Sequence, residues 1–114
     1  MGKDLRYHNH QVLLTKVLLY LSQNYPKIRI WKNNTGKALS FDGQRILQYG
    51  LKGSADLTGI TNLGIRLEIE IKTGKSVQSE AQKNFMEMIR AQNGIYIVCR
   101  ENDFEKVIDN VLRV

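Results

Sequence analysis

One run of the sequence, from Arg66 to Lys72, alternates strictly between polar and apolar residues. Such alternation is typical of a β-strand, because successive side chains of a strand point to opposite faces. Glu68, Glu70 and Lys72 then share one face at intervals of roughly 6.5 to 7 Å, and three aliphatic residues fill the other. The run therefore predicts a strand with one face in the core and one charged face.

The charged face of this strand has two interpretations. In the simpler one it is the solvated outer face of an antiparallel sheet, where exposed charge is common. In the other, the charges belong to a functional site, and the preceding residues favour that view. Residues 52–60 predict a short strand entered through a glycine turn, and Asn62-Leu63-Gly64 predicts a hairpin turn.

Antiparallel pairing of residues 55–61 with residues 65–72 would bring charged residues together. Asp56 would then lie near the end of its strand, beside Glu70 and Lys72. Two carboxylates so close repel each other, and a hard divalent cation with oxygen ligands is the usual way to stabilise them. The hairpin therefore predicts a candidate metal site.

Asp56 followed by Glu70-Ile71-Lys72 resembles the D…(D/E)-x-K core of the PD-(D/E)XK nuclease superfamily. Further segments occur in the order expected of its VRR-NUC (virus-type replication-repair nuclease) branch, stand-alone phage or bacterial type: WKNNTG at 31–36, YGLKGSADL at 49–57, SEAQ at 79–82 and NGI at 93–95. The resemblance spans about residues 10 to 100. It implies an α/β fold with a PD-(D/E)XK restriction-endonuclease-like core, in which helices flank a mixed central β-sheet, and a single nuclease domain over residues 1–114.

The resemblance also implies a metal-dependent catalytic site. Asp56, Glu70 and the carbonyl group of Ile71 would bind one or two Mg²⁺ or Mn²⁺ ions, which offset charge at the phosphate. Lys72 would orient the attacking water or neutralise the scissile phosphate, and Gln82 would support the site from a helix. Gln82 also has a purely structural interpretation as part of a helix cap.

Further candidates have auxiliary roles. In the family the first helix often carries a carboxylate, but His10 and Gln11 occupy the corresponding positions here, so a weaker, neutral role falls to Gln11. A zinc site at His8 and His10 would need further ligands, which the single cysteine cannot supply. The auxiliary set is Gln11, Asn33, Asn34 and Glu68. The two asparagines could equally satisfy their own backbone in a turn.

The charge balance favours a polyanionic partner. Seventeen Lys and Arg against eleven Asp and Glu give a net charge of +6 and a pI near 9.6. The candidate DNA-binding residues are Lys32, Lys37, Arg45, Lys52, Lys75 and Lys83. Two alternatives stay open: a non-catalytic nucleic-acid-binding module, and a restriction-type nuclease acting on linear duplex.

The size of the chain and the resemblance together suggest a dimer. A chain of 114 residues suffices for one domain, and one predicted site cuts one strand per binding event. Stand-alone members of the branch resemble four-way (Holliday) junction resolvases, which need two symmetric nicks, and a two-fold homodimer supplies both sites. Either of the apolar faces at residues 13–21 and 104–112 could form the interface, and their apolar residues could equally belong to the core.

The remaining elements are predicted from local patterns. Residues 9–24 have helical periodicity that stops before Pro26, residues 27–32 form a strand, and residues 38–49 form a hairpin or irregular loop. A capping box at Ser79 opens a second helix, which extends to about Asn93.

The C-terminal part of the sequence completes the prediction. Gly94 is the expected C′ residue of the second helix. A buried strand at residues 95–100 should run parallel to 65–72 because a helix connects them. Asn102 or Asp103 should cap a last helix.

Two further features bear on the cellular compartment of the protein. The single cysteine, Cys99, sits in an apolar run and predicts a buried structural thiol. No run approaches the roughly 20 apolar residues of a membrane span, and no signal sequence is apparent. We therefore expect a cytoplasmic protein with no membrane partner, in a bacterial or phage-infected cell.

Overall fold

The computed structural model describes residues 2–34 and 36–113 of the chain. Along these residues three helices and six strands follow in the order α1 (Gly2–Asn24), β1 (Arg29–Lys32), β2 (Gly36–Leu39), β3 (Ile46–Tyr49), β4 (Leu57–Ile60), β5 (Arg66–Ile71), α2 (Glu80–Ala91), β6 (Ile95–Cys99) and α3 (Phe104–Leu112). None of these helices combines the length and the apolar composition required to cross a membrane.

The strands form a mixed four-stranded sheet in the order β1-β4-β5-β6, and a separate pair. Strand β4 lies antiparallel to β1 and to β5, whereas β5 and β6 are parallel, as the connecting helix predicts. The separate pair, β2 and β3, is the hairpin that was one of two possibilities for residues 38–49. The charged strand β5 is thus central in the main sheet.

The hairpin of β4 and β5 sets the position of the candidate site. Its turn contains Gly64 at a φ of 80°, a conformation that glycine adopts without strain. Leu57 pairs with Ile69, so the next residue back, Asp56, lies opposite Glu70 just beyond the end of β4. The carboxyl end of β5 therefore meets the amino end of β4.

Both faces of the sheet are covered, so the interpretation of the charged face of β5 as a solvated outer face is wrong. One face packs against α1 and α3 through a core that includes Leu67, Ile69 and Ile71. The other lies under α2, whose Phe85 packs in a second cluster of buried residues. Glu68 and Glu70 are consequently only 1% and 0% exposed. Cys99 is buried and free, as predicted.

The helices differ from the prediction in two respects. Helix α1 begins at Gly2 rather than near Asn9, because helical structure continues through the polar residues before the apolar face begins. The faces predicted as dimer interfaces, at residues 13–21 and 104–112, are not surplus apolar surface. Their central residues are buried in the core against the sheet, and they are Leu13, Leu14, Val17, Leu21 and Ile108.

The ends of α2 and α3 also correct the prediction. Asn93, not Gly94, adopts the left-handed conformation after α2, with a φ of 66°. Its N–H bonds Arg90 O at 3.0 Å and the Gly94 N–H bonds Ile89 O at 2.9 Å, which is a Schellman motif. A side chain at Gly94 would collide with the Ile89 side chain. Asp103 precedes α3 but makes no side-chain cap bond.

We expect Gly59→Ala to destabilise the fold by about 3 kcal/mol or more, because overpacking against rigid backbone is costly. A methyl group there would collide with the Arg29 carbonyl group and lie 2.8 Å from Ile30 Cα on β1. Gly64→Ala is the control: its methyl group meets nothing within 4 Å, so only the positive φ opposes it, at about 1 kcal/mol. Urea unfolding measures both, and equal losses would contradict the close approach of β1 and β4.

Candidate active site

Asp56 is fixed at the edge of the sheet by bonds to β5 and to the residue that follows β1. Its Oδ2 accepts the Ile71 N–H at 2.7 Å. The Asn33 N–H donates to the Asp56 carbonyl at 2.8 Å, and Asn33 Nδ2 donates to Ala55 O and Ser54 Oγ, both at 2.9 Å. Asn33 thus holds the segment that carries Asp56, and its side chain is not used in a turn of its own.

Glu70 is held through only one of its two carboxylate oxygens. Its Oε1 accepts the Tyr96 hydroxyl at 2.5 Å and Gln78 Nε2 at 3.1 Å. Burial, and then the bond to Glu70, raise the pKa of Tyr96, so the phenol stays protonated and keeps donating. Glu70 Oε2 is buried without a hydrogen-bond partner among the described residues. The side chain is therefore oriented while one oxygen keeps its acceptor capacity.

Lys72 lies between Glu70 and Gln82. Its Nζ donates to Gln82 Oε1 at 2.8 Å and lies 3.7 Å from Glu70 Oε2. Gln82 Oε1 also accepts the Ser79 N–H at 2.8 Å, and the Gln82 N–H bonds Ser79 Oγ, so the capping box is complete. The two interpretations of Gln82 are compatible, because a single oxygen caps α2 and positions the Lys72 ammonium group.

The auxiliary candidates lie in different environments. Glu68 Oε1 pairs with Arg66 at 3.0 Å, and its other oxygen is buried without a hydrogen-bond partner in the described part of the chain. Asn34 is exposed and Gln11 is half-buried. It is His10, one residue before Gln11, that lies against Asp56, with Nε2 3.4 Å from Oδ1.

The candidate DNA-binding residues are distributed over several elements. Exposed positions are taken by Lys32 in β1, Arg45 at the tip of the β2–β3 hairpin, Lys52 in the loop before Asp56, Lys75 after β5 and Lys83 in α2. Lys37 belongs to β2, but its side chain lies outside the part that the structure describes. Lys52 and Lys75 flank the ends of the strands that carry the carboxylates.

The donor set fits a hard divalent cation. Asp56 Oδ1 and Glu70 Oε2 each retain acceptor capacity, and the second is a buried oxygen with no hydrogen-bond donor in the described structure. Because the N–H and C=O groups of a strand residue point to the same side, the Ile71 carbonyl faces the edge where Asp56 lies. No three His, Cys, Asp or Glu side chains in the described ranges cluster as a metal site, so the main-chain oxygen is needed.

Three residues at this site were not among the sequence candidates: His10, Gln78 and Tyr96. Gln78 directly precedes the capping box, which placed Gln82 but indicated nothing about its neighbour. Tyr96 appeared as one aromatic residue in an apolar strand. Its parallel pairing with Glu68, next to Glu70, is the signal that could have pointed to it once β5 and β6 were aligned.

The fold is similar to that of a solved structure named "VRR_NUC domain protein". The two superimpose with a TM-score of 0.59 over 91% of this chain and 88% of the other, at 19% sequence identity. The chain has a VRR_NUC-like fold. This confirms the predicted α/β class with a mixed sheet between helices. No protein-family model matches the sequence, and no curated protein matches it.

We expect Tyr96→Phe to lower the free energy of unfolding by about 2 kcal/mol, because a buried carboxylate loses a strong hydrogen-bond donor. Tyr7→Phe, at an exposed position, is the matched control and should have no effect. Urea denaturation gives both values. If the two variants were equally stable, the Tyr96 hydroxyl would not be a significant partner of Glu70 in this VRR_NUC-like fold.

Proposed function

We propose that this chain is a divalent-metal-dependent endonuclease that hydrolyses DNA phosphodiester bonds, with residues 1–114 forming one VRR-NUC-like nuclease domain. The observation that supports it most is the oriented Glu70 carboxylate, which has one buried oxygen without a hydrogen bond among the described residues, 3.7 Å from Lys72 Nζ. This arrangement destabilises a fold that has no ligand there. It is suited to a site that binds a cation and a phosphate group.

The metal would be held by Asp56, Glu70 and the Ile71 carbonyl group. When bound, Mg²⁺ or Mn²⁺ supplies positive charge that stabilises the transition state at phosphorus and makes an attacking water more acidic. Asp56 keeps its position because Oδ2 is bonded to the Ile71 N–H, which leaves Oδ1 for the ligand. The bonds of Glu70 Oε1 to Tyr96 and Gln78 fix the direction of Oε2 in the same way.

Lys72 supplies the charge complementary to the phosphate. Gln82 holds its Nζ at 2.8 Å, so the ammonium group is directed without being neutralised. Nζ can donate a hydrogen bond to a water molecule or to a non-bridging phosphate oxygen. Exposed lysines and arginines around the site, among them Lys52 and Lys75, would attract the DNA backbone and make binding depend on salt.

A non-catalytic nucleic-acid-binding module explains the basic surface but not the interior of the sheet. Such a module requires no buried carboxylates, and Asp56 and Glu70 would repel phosphates in the absence of a cation. A restriction-type nuclease acting on linear duplex shares the chemistry. It is the second candidate because the described residues form one four-stranded sheet, three helices and the short β2–β3 hairpin, which leaves little surface for reading bases.

We also propose a homodimer that resolves four-way junctions, with α1 providing the interface. The outer face of α1 bears Leu5, Val12 and Leu19, which are 59%, 39% and 54% exposed. Residues seven apart lie on nearly the same side of an α-helix, so these three form an apolar stripe suited to pairing with its two-fold equivalent. Two copies then carry two symmetric sites. We place this activity in the cytoplasm of a bacterial or phage-infected cell.

We expect Asp56→Asn to abolish cleavage while DNA affinity and folding are retained, because it removes a ligand charge that only the cation requires. Lys72→Ala should also lose turnover far more than affinity, since one contact is a small share of the attraction of a basic surface. Lys83→Ala, an exposed α2 variant, is the control: its affinity should fall slightly while its turnover persists. Cleavage with Mg²⁺, Mn²⁺ or EDTA and gel shifts in Ca²⁺ separate the two quantities. Full activity of Asp56→Asn would eliminate the proposed site.

We expect Leu19→Glu to convert a dimer into a monomer, because the isologous interface would contain two buried, unpaired carboxylates. Leu63→Glu makes the same change at a 79% exposed position in the β4–β5 turn and should remain dimeric. Light scattering at micromolar concentration gives the mass.

Wild type should cut four-way junctions in symmetric pairs and linear duplex weakly. A monomeric wild type, or equal rates on both DNAs, would refute the resolvase assignment.

A further inference from the structure

His10 faces the candidate metal ligand Asp56 from a different element of the fold. Its Nε2 lies 3.4 Å from Asp56 Oδ1, and the two side chains are 29% and 30% exposed. The other oxygen, Oδ2, is bonded to the Ile71 N–H at 2.7 Å. The imidazole therefore faces the one oxygen of Asp56 that remains available to a ligand.

The separation of the pair is informative. At 3.4 Å it exceeds the usual 2.7 to about 3.2 Å of an N–H···O hydrogen bond. Two adjacent ligands of one octahedral cation, each about 2.1 Å from it, lie roughly 3 Å apart. His10 Nε2 and Asp56 Oδ1 would therefore need to move only slightly closer together to be neighbouring ligands of a single ion.

The position of His10 follows from the packing of α1. Leu13, Leu14 and Val17 are buried against the sheet, and His10 precedes them by three, four and seven residues. Residues at these spacings lie on one side of a helix, so the core fixes the side of α1 from which His10 projects. His10 also lines an open groove of about 720 Å³ together with Arg6 and the loop of residues 73–76, so the imidazole is reached from solvent on this side.

We propose that His10 Nε2 and Asp56 Oδ1 are neighbouring ligands of the cation at the proposed site, which makes the site selective for Mn²⁺ over Mg²⁺. The described side chains do not form a ready-made cluster of three ligands, so the ion would draw the imidazole in when it binds. The proposal rests on the metal site of the proposed function and adds a nitrogen ligand to its oxygen set. Mg²⁺ binds oxygen ligands in strict geometry and retains its waters. Imidazole is bound more readily by first-row transition metals, so His10 raises their affinity selectively.

Metal binding to the protein without DNA tests the assignment directly. Manganese EPR titration gives the Mn²⁺ affinity, competition gives the Mg²⁺ affinity, and pulsed EPR detects magnetic coupling between bound Mn²⁺ and an imidazole nitrogen. Wild type should bind Mn²⁺ at least about tenfold more tightly than Mg²⁺ and show the coupling. His10→Ala should lose the coupling and at least about tenfold in Mn²⁺ affinity, with little change for Mg²⁺.

Two further variants sharpen the test. His8→Ala removes an exposed imidazole from the same helix and should retain both the affinity and the coupling. His10→Glu replaces the nitrogen ligand by oxygen and should improve Mg²⁺ binding relative to His10→Ala. Unchanged Mn²⁺ affinity and nitrogen coupling in His10→Ala would overturn the assignment, as would a wild-type protein that binds neither metal.

The outcomes separate this assignment from the nuclease proposal. Nitrogen coupling that depends on His10, in a protein that cleaves no DNA, would support the ligand and overturn the nuclease. Cleavage with Mg²⁺, combined with Mn²⁺ binding that lacks nitrogen coupling, would support the nuclease and overturn the ligand.

Discussion

The burial of Glu70 constrains the structure around it. A carboxylate with 0% exposure in the middle of a sheet is strongly destabilising unless polar groups are brought to it. Here the donors come from β6, through Tyr96, and from the segment entering α2, through Gln78. Both the parallel placement of β6 and the position of α2 are thus tied to one side chain. The bonds converge on Oε1 and leave Oε2 beside Lys72 without a hydrogen-bond donor among the described residues, at a cost to stability.

Those parts of the fold that depend on neighbouring residues could be predicted from the sequence. The alternation of residues 66–72 identified β5, the Asn62-Leu63-Gly64 turn fixed the pairing of β4 with β5, and Ser79 with Gln82 marked the start of α2. The same alternation left the environment of the charged face undecided between solvent and a buried site. Period-2 patterning separates the two faces of a strand but does not show whether another layer covers the polar one, and α2 supplies that layer.

Some residues of the candidate site could likewise be predicted from neighbouring sequence, and others could not. Asp56, Glu70 and Lys72 lie on one hairpin, so the turn alone determines that they are neighbours. Residues from distant elements, such as Asn33, His10 and Tyr96, reach the site because of how β1, α1 and β6 pack on that hairpin, and no local pattern encodes this. The Schellman end of α2 shows a subtler limit: the glycine was expected at C′, but the hydrogen bond from the Gly94 N–H to Ile89 O makes Gly94 the C″ residue and Asn93 the left-handed C′ residue.

Helix α1 links the site to the proposed dimer, because its two faces are fixed together. Packing of its buried face against the sheet sets the rotation of the helix, which places His10 at Asp56 and turns Leu5, Val12 and Leu19 outward. An interface on the outward stripe would cover the opposite side of the N-terminal half of α1, the half in which His10 faces Asp56. Since helix ends without tertiary contacts fray readily, association of two copies would hold His10 at the metal site more firmly than a free helix does. In the proposed dimer, the α1 interface that pairs the two candidate sites would also stabilise the position of His10 beside Asp56 in each of them.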